Sequence, residues 1–167
     1  VDMFNVAVGH NAGYSLSTST GNVLLGAFSG DAVMTGIENT FVGLHSGGGN
    51  TSGDRGVAVG GYALASNTVG ARNIAVGHGA LQTNVDGSYS VAIGYAALNS
   101  QDPTSAANMY NVAIGHEAGK SITTGVENAI FGGLAGDAIT TGSFNVALGT
   151  SALGANTKSN ANVAVGN

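Results

Sequence analysis

Three windows decide how this chain reads: Asn111-Val-Ala-Ile-Gly115, Asn128-Ala-Ile-Phe-Gly132 and Asn145-Val-Ala-Leu-Gly149. Each is an Asn, an apolar triplet and a Gly, and each lies 17 residues after the one before. Working outward, the Gly that closes such a triplet recurs as Gly9, Gly26, Gly43, Gly60, Gly77, Gly94, Gly115, Gly132, Gly149 and Gly166. The interval is 17 throughout, apart from one of 21 between Gly94 and Gly115. A fixed period of this length is the signature of a solenoid, in which each repeat covers the apolar face of the next.

Other columns hold the same phase. Asn stands four residues before the repeat Gly in all units but two, where Gly56 and Ser90 replace it. Three residues after the Gly stands Ala or Ser, and ten after it a turn residue recurs, Gly36, Gly53, Gly70, Gly87, Gly125 and Gly142 among them. The triplet is short and bounded by Gly, so it predicts a strand rather than a helix. Side chains alternate along a strand, so Val112 and Ile114 take one face and Ala113 the other. Both faces are apolar, which calls for cover on both. One face fills the coil; the small Ala column is expected to pack against another chain or another wall of the coil. Stacked Asn side chains can form amide ladders, and the Gly beside them permits a sharp bend.

A second pattern concerns volume. Four residues after the repeat Gly stands either Gly, followed three later by Leu16, Val33, Ile122 or Ile139, or Leu (Leu64, Leu81, Leu98, Leu153), followed in most cases by Asn. Close packing then asks each coil for one large apolar plug, taken from either of two places. The Gly43 unit has Gly47 and Asn50 at these positions and is expected to be the loosest coil, unless a large central residue such as Phe41 compensates. The expected fold class is all-β: a parallel β-solenoid of about ten 17-residue coils, forming one repeat domain over 1–167 with an inserted loop over 99–108. The pattern runs to both ends without a distinct polar cap, as a segment cut from a longer fibre would.

Composition narrows the function classes. Among 167 residues there are 29 Gly and 1 Pro, which does not suit collagen, and 43% are hydrophobic, which does not suit disorder. No apolar run approaches the roughly 20 residues of a membrane helix. With 4 basic residues and a net charge of −5 there is no electrostatic footprint for nucleic acid or anionic membrane. No phosphate loop, nucleophile elbow or repeated carboxylate pair stands out, so an enzyme and a cofactor are not expected.

The units Asn5-Val-Ala-Val-Gly9, Ser90-Val-Ala-Ile-Gly94 and Asn111-Val-Ala-Ile-Gly115 resemble the head domains of trimeric autotransporter adhesins. They are also similar to repeats of bacteriophage tail-fibre and related fibre proteins. The resemblance covers essentially the whole chain, although adhesin heads use a shorter repeat. It implies a left-handed β-roll in a side-by-side homotrimer. It also implies an extracellular place, on a cell surface or a virion tail fibre, and a role in attachment or in spacing a receptor-binding tip.

Candidate contact residues are few. Tyr89 and Tyr110 occupy one column in consecutive units, flank the insertion that contains Pro103, and are expected to stack near Tyr95. Exposed Tyr suits a glycan or protein receptor, but packing between chains or simple ladder stacking is the reading to be preferred. His10, His78 and His116 share the position after the repeat Gly. They are too far apart to share a metal within one chain, and would bind one only if that column faced a threefold axis. Thr recurs near the turns, as at Thr35, Thr51, Thr68, Thr123, Thr140 and Thr157, so an ice-binding solenoid is the alternative reading. Val69, Asp86 and Lys158 interrupt the array.

Overall fold

The computed structural model describes residues 4–32 and 34–167. The repeating triplets form β1 (Val6–Val8), β2 (Val23–Leu25), β3 (Thr40–Val42), β4 (Val57–Val59), β5 (Ile74–Val76), β7 (Val91–Ile93), β9 (Val112–Ile114), β10 (Ala129–Phe131), β11 (Val146–Leu148) and β12 (Val163–Val165). They make one ten-stranded parallel sheet in which consecutive units are neighbours. The register is the sequence register: Ile74 pairs with Val91, Ala75 with Ala92 and Val76 with Ile93. Among the described residues there is no helix. The molecule is therefore a parallel β-solenoid in which each coil contributes one short strand to the main sheet, and turns make up most of its other walls. At a strand spacing of about 4.8 Å, ten coils give a rod roughly 43 Å long.

Backbone geometry explains why Gly recurs where it does. Gly60 has φ of +131°, and a Cβ placed on it would lie 2.7 Å from the carbonyl carbon of Gly77 in the next coil. The bend out of the strand thus needs a residue without a side chain for two reasons, conformation and close approach. Left-handed conformation also occurs at two or three further corners of each coil, and non-Gly residues adopt it there, including Arg55, Tyr62 and Leu64 at φ of 56°, 59° and 50°. The hydrogen bonds to neighbouring coils fix these corners, as Arg55 N donates to Ile37 O at 2.9 Å and Tyr62 N to Leu44 O at 2.8 Å.

The sheet corrects the expected assignment of its faces. The central residue of the triplet points inward: Ala58, Ala75, Ala92, Ala113 and Ala147 are fully buried, as are Leu24 and Ile130 in the same column. The flanking Val and Ile residues point out of the coil, and the Ala column needs no second chain to cover it. The reason is width. A coil of 17 residues holds large side chains from both the strand and the turns only where a corner Gly makes way, as Gly30 does for Leu24 and Met34 and Gly136 for Ile130 and Ile139. Ala on the strand leaves room for the plug that the turns supply.

The plugs are where the sequence pattern puts them. Leu64, Leu81, Leu98, Ile122 and Ile139 are buried, and Leu16 and Leu153 pack against them. Val33 lies outside the described residues; in its coil Met34 is fully buried, and a Cβ on Gly30 would sit 3.0 Å from its sulfur. The coil expected to be loosest is filled by Phe41, which is 1% exposed and lies directly over Gly47.

Asn residues close each coil. Asn128 Nδ2 crosses the interior to donate to Gly142 O in the turn at 2.9 Å, and also donates to Asn111 Oδ1 in the coil before at 3.1 Å. Asn128 Oδ1 in turn accepts from Asn145 N and Nδ2, both at 3.0 Å. The pattern repeats along the rod, so the buried members of the ladder have their polar atoms engaged, as a buried amide requires. A second ladder joins Asn50, Asn67, Asn84 and Gln101 through their side chains. It accounts for the two units that lack the main Asn. Where Gly56 stands, Asn67 Nδ2 takes over the turn carbonyl, donating to Gly70 O at 2.9 Å. Where Ser90 stands, Gln101 bonds Ser90 and accepts from Asn111 Nδ2 at 2.9 Å. Among the described residues one buried hydroxyl, Ser19 Oγ, has no partner.

Candidate interaction surfaces

Three surfaces stand out. The first is the outer face of the sheet. Its two columns run Val6, Val23, Thr40, Val57, Ile74, Val91, Val112, Ala129, Val146, Val163 and Val8, Leu25, Val42, Val59, Val76, Ile93, Ile114, Phe131, Leu148, Val165. Thr40 is their one polar residue, and no charge interrupts them. Exposure is 37% at Val59, Ile93 and Ile114 in mid-rod and 54% at Val6. Twenty such side chains amount to on the order of 1,000 Å² of contiguous accessible surface, more than the 300–600 Å² that is the largest apolar patch on a typical monomer.

The second surface is the column five residues before the repeat Gly. Arg55 Nε meets Glu38 Oε2 at 2.7 Å, an exposed pair of small energetic weight. Arg72 donates to Tyr89 Oη at 2.9 Å and lies 5.3 Å from the centre of that ring. The Tyr89 and Tyr110 rings lie against each other at 5.3 Å, tilted by 31°. Tyr95 is not part of this stack; it belongs to the ladder described next. The insertion is stitched to the rod rather than free: β6 (Gly87–Ser88) and β8 (Ala107–Asn108) pair in parallel, and Asp102 Oδ1 accepts from Val85 N at 3.2 Å. Pro103 and Gln101 are buried, and Thr104, Ser105 and Ala106 form the exposed tip.

The third surface was not legible column by column. His10, Phe28, His45, Tyr62, His78, Tyr95 and His116 form one continuous ladder of rings, with successive centroids 5.2, 4.8, 5.2, 5.7, 5.8 and 5.2 Å apart; His10 meets Phe28 edge to face, Tyr62 and His78 are tilted by 58°, and the other contacts are stacked. It contains all 4 histidines of the chain. The ring comes from the first residue after the repeat Gly in some coils and from the second in others. In the latter, Phe28, His45 and Tyr62 have φ of 56°, 52° and 59°, which turns the side chain into line. Reading those two positions together would have revealed it. His10, His78 and His116 are separated by other rings, and no group of three or more metal-ligating side chains occurs among the described residues.

Five turn threonines, Thr35, Thr51, Thr68, Thr123 and Thr140, are engaged with the backbone. Thr51 Oγ1 donates to Thr68 O at 3.0 Å, and Thr140 Oγ1 to Thr157 O at 2.9 Å. Asn50-Thr51-Ser52 matches the sequence of an N-glycosylation acceptor, but Asn50 is fully buried and hydrogen-bonded to Gly53.

Fold and surfaces together define a class, the parallel β-solenoid repeat proteins. Compared with protein-family models, curated proteins and solved structures, the chain matches none of them.

Proposed function

We propose that the chain is a rigid segment of an extracellular fibre, on a cell or virion surface, that associates side by side with copies of itself, most simply as a homotrimer. The single observation that carries this reading is the uncharged Val/Ile/Leu face, which runs the whole length of the rod. Its estimated area, on the order of 1,000 Å² per chain, compares with about 800 Å² that each partner contributes to a stable interface. A straight face of constant chemistry meets its own copy in register, and closed symmetry ends the growth. In such an assembly the repeat sets length and stiffness, while the exposed ladders and the tip of the insertion remain for receptor contact.

Five of the turn threonine hydroxyls that an ice-binding surface would need, those of Thr35, Thr51, Thr68, Thr123 and Thr140, already donate to carbonyls of neighbouring coils, which favours the fibre reading. Native mass measurement of the purified chain tests it. A defined oligomer, with a trimer expected, supports the proposal. A chain that stays monomeric at about 100 μM, where even weak interfaces are occupied, overturns it.

A further inference from the structure

The ring ladder has two periods, and both carry information about a ligand. Each ring advances one coil, in steps of 4.8 to 5.8 Å. Chemistry alternates on top of this, with His in coils one, three, five and seven and Phe or Tyr between them. Because the rings are largely stacked on one another, their faces are occupied by neighbours. What reaches solvent is a row of ring edges, with imidazole nitrogens and Tyr hydroxyls able to donate and accept. His10, His78, Tyr95 and His116 are exposed, and His45 and Tyr62 partly so.

A straight polymer that advances one unit per coil, and shows the same polar edge every second unit, fits both periods. An extended β-1,4-linked polysaccharide does this, since alternate sugars of its two-fold chain turn the same hydroxyls to one side. We propose that the ladder binds such a glycan lengthwise, one sugar per coil, with hydroxyls bonded to imidazole edges at every second sugar. The α-1,6-linked chain of dextran has an extra rotatable bond in every link and holds no such register. This proposal rests on the receptor-contact part of the fibre reading, and names the class of receptor and where it lies.

The test is retention of the intact chain on microcrystalline chitin, on cellulose and on cross-linked α-linked dextran. Retention at least tenfold greater on chitin or cellulose than on dextran is expected, and the two β-linked arms tell which sugar is preferred. The double substitution His78→Phe with His116→Phe keeps the stack while removing two polar edges. With circular dichroism unchanged, it is expected to lower retention at least fivefold, whereas Lys158→Ala, an exposed turn residue two coils beyond the ladder, leaves it unaltered. Equal retention on dextran, no retention on any matrix, or full retention by the double variant overturns the proposal. The oligomeric mass of the same samples is a separate readout, so loss of glycan binding and loss of self-association are distinguishable.

Discussion

At the scale of single residues, the two positions that define the repeat do different work. The Gly after each strand is required by geometry. At Gly60 an added methyl meets the backbone of the next coil, not a side chain that could move aside. Gly60→Ala is expected to destabilise the rod by about 2–3 kcal/mol, the range for a strained backbone held by its surroundings, read as a lower midpoint in denaturant. The buried Asn is required by polarity. Asn128→Ala removes the acceptor for Asn145 N and the donor to Gly142 O. Leaving those groups unpaired is expected to cost about 3 kcal/mol, with early hydrogen exchange at Asn145 as a local signature. Both columns were legible in the sequence because each has one chemical solution. The ring ladder was not, because a ring can reach the same line from either of two adjacent positions, according to the φ of the second.

The strand is the scale at which sequence reading chose the wrong side. Alternation establishes that Val and Ala of a triplet face opposite ways, and says nothing about which way is in. That depends on the width of the coil and on where the plugs come from, both of which are properties of the assembled rod. The correction makes the two faces separable by experiment. Ala75 is fully buried inside and Val76, its neighbour, is half-exposed on the outer face. Ala75→Asp puts a carboxylate among Leu64, Leu81 and the other core residues and is expected to unfold the middle of the array, a loss above roughly 4 kcal/mol. Val76→Asp is expected to leave the chain folded, with circular dichroism unchanged and stability within about 1 kcal/mol, but to abolish the oligomer in native mass measurement. If Val76→Asp remained oligomeric, the sheet face would not be the contact between copies.

For the whole molecule, stability is distributed along one dimension. Each coil contacts the coils before and after it, through the strand ladder, the turn hydrogen bonds and the two Asn ladders, so its energy is a local term plus two interfaces. The natural four-residue enlargement between Gly94 and Gly115 is accommodated without breaking the main sheet, since β7 still pairs β9 in register. Length can therefore change by whole coils and by outward loops, but a coil cannot be made too short to circle its core. Deletion of residues 61–77 removes one complete unit and brings β4 next to β7 with Val57, Ala58 and Val59 opposite Val91, Ala92 and Ile93. That variant is expected to fold, with native circular dichroism and, by small-angle scattering, a rod shorter by about 4.8 Å. Deletion of residues 61–69 removes fewer residues yet leaves a stub of eight to span a whole turn. It is expected to lose protection from hydrogen exchange across the coils on either side of the cut. The smaller deletion does the greater damage only if adjacent coils, and not a global core, hold the rod together. An intact 61–69 variant or an unfolded 61–77 variant would contradict that order.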